Sequence, residues 1–241
     1  MSKYTNNINI ESRFFEFKNT KDYTLHTRSE YSGWSGLKVI KFNIRENENL
    51  DNHYFKKNFS SIANKEKIFV VTLGELEIEH ENERFLMKEF DALTLFSDEK
   101  KYEITCRANS EFYLIGSEKL LPKNYDPHHF NFKRDITPRD LWGGKCISRP
   151  YEGNDLNLVL FDLKPGFKFE DNGHANEQIT WLVQGKMDFY SDNSKKTLTA
   201  ANGVDIGPNH VHGGVSAGAI GFDAFFPKRE ESKYKQSPKN R

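Results

Sequence analysis

Short apolar runs that alternate every second residue, and that recur in two similar series, leave this chain few ways to fold. The first series covers residues 37–44, 68–79, 85–96, 102–106 and 111–115. The second covers 156–163, 178–183, 186–190, 196–199, 203–206 and 220–226. A stretch such as TLGELEIEH, from Thr72 to His80, puts apolar side chains on one face of an extended backbone and charges on the other. Helical periodicity is scarce. Regularly spaced short strands bounded by turn residues predict an all-β sandwich or barrel. Each series has a long strand (KVIKFNI; NLVLFDL), a loop, and a strand ending at a glycine turn (IFVVTLGELEIEH; ITWLVQGKMDFYS). This internal repeat predicts two tandem barrels. The expected division is a first barrel in residues 1–118, a linker at 119–140, a second barrel at 141–230 and a flexible tail at 231–241. Residues 26–36 read as loop, and Gly185 as the start of a hairpin turn.

The chain has 241 residues, enough for one large or two small β domains with real cores. Lys+Arg and Asp+Glu both number 35, so the formal net charge is zero, which argues against a nucleic-acid or anionic-membrane partner. The basic run near the C-terminus reads as a solvated tail. No stretch approaches ~18 consecutive apolar residues, so no membrane span is expected. The N-terminal residues lack the apolar core of a secretory signal. Cys106 and Cys146 have no CxxC spacing, and a cytoplasmic protein with reduced thiols is the simplest expectation. Exposed sheet edges make a homodimer plausible.

Residues 164–213 carry the chemistry. Five residues separate Gly166 from Asn172; His174 follows two later, Gln178 four after that, and then Gly185. Further on stand Pro208, His210, His212 and Gly213. Residues at i and i+2 of a strand share a face, and a barrel can bring His212 from a neighbouring strand to the same point. Imidazole nitrogens with an amide or carboxylate oxygen suit one divalent transition metal, Fe, Mn, Co, Ni or Zn, with positions left open for a small-molecule substrate. His174, Gln178 and His212 are the candidate ligands, with Asn172 beside them as a weak oxygen ligand, a water holder or a bystander. Three roles are open to His210: replacement ligand, acid or base, or exposed rim residue. Purely structural readings compete. His174 could be a polar rim histidine, Gln178 a partner of a neighbouring strand, and His212 a turn residue. Glu177 is expected to point out of the barrel into a salt bridge, and His128-His129 to lie in a solvated loop. Trp181 or Leu182, with Met187 or Phe189, would form an apolar wall.

This spacing resembles the first motif of the cupin superfamily, G-x5-H-x-H-x3-E/Q-x6-G, with Asn172 in place of the first histidine. The family's second motif ends in proline, a short turn and a metal-binding histidine, and Pro208 to His212 is similar to it. The whole chain resembles a bicupin, which implies two tandem cupin jelly-roll barrels. Counting back from Gly74 as the counterpart of Gly185, Asn172 falls on Ser61, His174 on Ala63 and Gln178 on Lys67. The first barrel is therefore expected to be metal-free. Its role is structural packing, or else anion binding through Lys65, Lys67 or Lys101.

Within the superfamily the last hundred or so residues resemble the bicupin isomerases of bacilysin biosynthesis. The shared strings are NEQI from Asn176, Pro208 to Gly213, FDAFFPKRE from Phe222, and FKRD in the linker. Single-barrel cupins that process unsaturated uronates share the HxHxxEQ pattern. Both resemblances imply metal-dependent proton transfer on a small oxo acid or sugar acid, with His174, Gln178 and His212 on the metal and His210 as a candidate acid or base. Three function classes follow: a metal-dependent isomerase or tautomerase, a metal-dependent dioxygenase, and a non-catalytic small-molecule-binding bicupin. No DNA-reading helix-turn-helix precedes the barrels.

Overall fold

A computed structural model describes residues 12–17, 20–21, 26–62, 65–95, 101–118 and 126–229. Among these, strands dominate, and Asn52–Asn58 is the one α-helix. The strands form two tandem jelly-roll barrels. In the first, seven strands run in the order His128–Asn131, Asp91–Leu95, Lys67–Leu73, Ser110–Ser117, Leu37–Ile44, His26–Ser32 and Thr20–Lys21. Facing them are four more: Asn49–Asp51, Tyr102–Cys106, Leu76–His80 and Glu83–Met87. Alternation divides each strand between two cores. Phe69 and Val71 pack inside the barrel with Phe42, Ile78 and Ile104. Ile68 and Val70 point the other way, into a layer between the barrels. The helix is capped by Asp51, whose carboxylate accepts from the Tyr54 N–H at 2.8 Å. It delivers Phe55 against Phe42 and Tyr102.

The second barrel is built on two 15-residue strands, Glu177–Ser191 and His212–Phe226, paired along their lengths. Gly185 does not begin a hairpin. It sits at a register irregularity inside the first of these strands, at φ 79°. A Cβ there would lie 1.9 Å from the Gly218 carbonyl oxygen, so only glycine lets the strands pass. The bend carries one continuous strand from one wall of the barrel to the other. Leu182, Met187 and Phe189 fill this barrel with Phe161, Leu198 and Ile206. Trp181 instead faces the other barrel, stacked on Phe222 and tilted against Tyr113.

The sequence-based division misses an exchange of strands. Arg13–Glu16 pairs with Asn202–Ile206 of the second barrel, and His128–Asn131, within the expected linker, pairs with Asp91–Leu95 of the first. In the repeat that matches Gly74 to Gly185, these two receiving strands are counterparts. The donors share an F-x-F pattern as well. Phe15 and Phe17 meet edge-on at 5.1 Å, as do Phe130 and Phe132, and Phe15 stacks on Tyr31 as Phe130 stacks on Tyr151. The His128-His129 pair is thus strand, not solvated loop, because it completes the edge of a sheet. His26–Ser32, read as loop, is a strand on Leu37–Ile44 for the same reason. The expected tail at 231–241 lies outside the described residues.

Two carboxylates cross between the barrels. Glu66 accepts from the N–H groups of Asn154, Asp155 and Leu156, in the turn between the strands Cys146–Glu152 and Asn157–Leu163. Its repeat counterpart Glu177 accepts from the N–H groups of Trp34 and Ser35 and from the Ser35 hydroxyl, in the corresponding turn of the first barrel. Glu177 does point out of its own barrel. It is nevertheless buried, and it accepts from two backbone N–H groups and a hydroxyl rather than pairing with a surface cation. No helix in the described residues is long and apolar enough to cross a membrane.

Candidate metal centre

At the mouth of the second barrel Asp171, His174 and His212 each bring a ligand atom within 4.8 Å of the others. The strand Lys168–Asp171 ends here, its last residue paired in register with His212. Gly173, at φ 94°, then turns the chain so that His174 is buried in the barrel. The two imidazoles stand perpendicular, with centroids 5.5 Å apart, and Phe225 and Phe189 flank them.

Hydrogen bonds fix which nitrogen of each ring faces the cluster. The Nδ1–H of His212 donates to the His210 carbonyl at 2.9 Å, leaving Nε2 as the lone-pair nitrogen. For His174 the argument starts at Asp223. Its carboxylate can only accept, so the amide nitrogen of Gln178, 3.0 Å away, must face it. The same nitrogen donates to Thr180, whose hydroxyl donates to Asp223 at 2.6 Å. The amide oxygen of Gln178 therefore faces His174 and accepts from its Nε2–H at 2.9 Å. The lone pair of His174 then lies on Nδ1, a buried atom with no hydrogen-bond partner. A buried, unpartnered imidazole nitrogen close to a carboxylate and a second imidazole is a donor set that fits a divalent transition metal.

The charges agree. Burial pushes the His174 imidazole down to about 4, with Arg229 adding to the effect, and burial lowers His212 too. Both stay neutral, as ligands must be. Burial opposes ionisation of Asp171, but His212, Arg229 and His174, with the Gly173 N–H, hold its carboxyl below the usual value. The depressed histidine has a consequence for the metal-free protein. Between about pH 6.5 and 4 the unfolded chain binds a proton at His174 that the folded chain does not. The stability this site contributes is full above pH 6.5 and lost as pH falls toward 4. Urea unfolding of metal-free protein at pH 7 and pH 4.5 should show a loss on the order of 2 kcal/mol. A His174→Phe variant should lose less over the same interval. Equal slopes for the two proteins would contradict this.

Of the residues marked in the sequence, His174, Gln178 and His212 come together. Asn172 does not join them; its side chain is exposed. The His210 ring stands outside the cluster, bonded through Nδ1 to Asp192, while its carbonyl orients His212. Asp171 was missed, although an acidic residue directly before Asn172 was a visible signal. In the first barrel, Ala63 lies outside the described residues, and the buried Lys67 donates to the Lys65 carbonyl at 3.1 Å. At the register where Thr180 faces Asp223, the first barrel has Phe69 facing Leu114. Its interior there is packed rings and aliphatic chains.

No family model and no curated protein matches the sequence. Solved structures do match the fold. Ylba from E. coli superposes with a TM-score of 0.72 at 11% identity, over 91% of this chain and 92% of that one. A cupin 2 conserved barrel domain protein from Leptotrichia buccalis gives 0.62 at 14% identity, covering 92% and 99%. Bacillus subtilis oxalate decarboxylase, a protein with Mn(II) centres, gives 0.67 at 9% identity, covering 90% and 77%. These likenesses extend over both barrels, and they establish the fold: two tandem jelly-roll barrels like those of cupin-fold proteins.

Proposed function

We propose that this protein is a metal-dependent bicupin enzyme of the isomerase or tautomerase type, acting on a small oxo acid or sugar acid at the second barrel. The observation that carries this reading is the Asp171–His174–His212 cluster with its unpartnered buried nitrogen. Asp171 through a carboxylate oxygen, His174 through Nδ1 and His212 through Nε2 would hold one divalent ion, Fe, Mn, Co, Ni or Zn. Gln178 supports His174, and Asn172 has no part. A bound ion would polarise a carbonyl and stabilise the negative charge that develops on its oxygen. Phe189 and Phe225 keep water from the buried side of the cluster. His210 is the residue we assign to move the proton. Asp192 against its Nδ1 fixes one tautomer, and Nε2 is left to act.

One observation favours a second reading. Two histidines and one carboxylate are the ligand set of non-haem iron oxygenases, so a dioxygenase is the alternative. The test begins with elemental analysis after incubation with each metal. Loaded protein is then mixed with 2-oxo acids in D2O, following carbon-bound deuterium by NMR and dissolved oxygen by electrode. Metal-dependent deuterium incorporation without oxygen uptake is expected. Oxygen uptake would establish the second reading, and absence of stoichiometric metal would overturn both.

A further inference from the structure

We propose that Arg229 forms an anion subsite beside the metal ligands and receives the carboxylate of the substrate; the inference rests on the metal-centre reading above. Arg229 follows the last long strand and folds back over the barrel mouth. Its Nη2 lies 3.3 Å from a carboxylate oxygen of Asp171, and its guanidinium sits over the Phe225 ring, 5.2 Å from the centroid. The side chain is 13% exposed. The backbone beneath it is pinned: Asn157 donates to the Arg229 carbonyl at 2.9 Å, and Asn176 donates to the carbonyls of Pro227 and Lys228. The arginine is therefore placed before any ligand arrives, which lowers the entropic cost of using it.

Charge balance says what it is for. With both imidazoles neutral, the Asp171 carboxylate would stand between a divalent ion and the guanidinium, which together carry more positive charge than it offsets. A neutral sugar would leave that charge uncompensated. A 2-oxo acid, a sugar acid or a small dicarboxylate would offset it, its carboxylate taken by the guanidinium fork. The contact to Asp171, at 3.3 Å, is longer than the ~2.7–2.9 Å of a strong charge-assisted bond.

Full-length wild type, Arg229→Ala and Arg229→Lys are loaded with Co(II), and uptake is followed by the visible spectrum. Each is then titrated with oxalate, with neutral ethylene glycol as control. Wild type and Arg229→Ala are expected to bind one Co(II), the variant no more weakly, because a nearby positive charge has gone. Oxalate should bind Arg229→Ala about 10- to 100-fold more weakly, and Arg229→Lys in between. Equal oxalate affinity in wild type and Arg229→Ala would overturn the subsite. If wild type takes up no Co(II), the metal reading fails by itself. Oxalate titration of the metal-free proteins then decides the subsite: dependence on Arg229 upholds it, and its absence overturns it. Melting curves show whether each variant is folded.

Discussion

Replacing Asp171 with alanine should abolish stoichiometric metal uptake, while replacing its neighbour Asn172 with alanine should leave uptake intact. Asp171 ends a strand in register with His212, and its carboxylate lies in the cluster. Asn172 is exposed on the turn that Gly173 completes. Loss of a residue that only supports a ligand costs about 10- to 100-fold in metal affinity. Loss of Asp171, proposed above as a ligand, should exceed that, on the order of 3 kcal/mol or more. Adding a histidine at 172 should not tighten binding, because that side chain faces solvent. Metal content after dialysis against a weak chelator decides the matter. Retained metal in Asp171→Ala would remove the carboxylate from the ligand set, and lost metal in Asn172→Ala would overturn the placement of Asn172 outside it.

The site was legible in part, for a physical reason. Glycine and proline fix backbone turns, so the spacing from Gly166 to Gly185 and from Pro208 to Gly213 carried His174, Gln178 and His212 to one place. Parity then failed twice. An i, i+2 rule holds for a regular strand, but the strand ends at Asp171 and Gly173 adopts a positive φ, which turns Asn172 out and leaves Asp171 in. In the same way Pro208 and Asn209 form a turn, and His212 joins the cluster while His210 does not. The role of Gln178 depends on Asp223, some 45 residues on, and no local pattern announces that bond.

The barrels themselves were easier to read, because period-two alternation is imposed by burial on one face. The exchange of opening strands was not. FFEF and HHFNF are short and lie next to loops, and what they pair with is set by the distant strands Asn202–Ile206 and Asp91–Leu95. Nor could alternation tell a core facing the barrel lumen from a core facing the other barrel. Trp181 and Leu182 are both fully buried, on opposite sides of one strand.

That shared layer between the barrels leads to the second large effect: Glu66→Ala should destabilise the fold by about 2–4 kcal/mol. The Glu66 carboxylate takes three backbone N–H groups from a turn of the second barrel. Alanine leaves them without an acceptor at a place 1% exposed, and water can reach only some of them. For a protein of this length the melting temperature should drop by roughly 5–15 °C. Glu66→Gln keeps one oxygen acceptor and should lose about half as much. Metal uptake should be unchanged, since Glu66 belongs to the other barrel. A second substitution tests the same contact from its far side. A Cβ on Gly153 would come 2.3 Å from a Glu66 carboxylate oxygen, as one on Gly33 would come 2.5 Å from Glu177, so Gly153→Ala must displace the carboxylate. Gly153→Ala and Glu66→Ala should then be far from additive, because either one breaks the same bonds. A Glu66→Ala melting temperature within 2 °C of wild type would show that the barrels are held by their apolar layer alone. A full additive loss in the double variant would show that the two residues act apart.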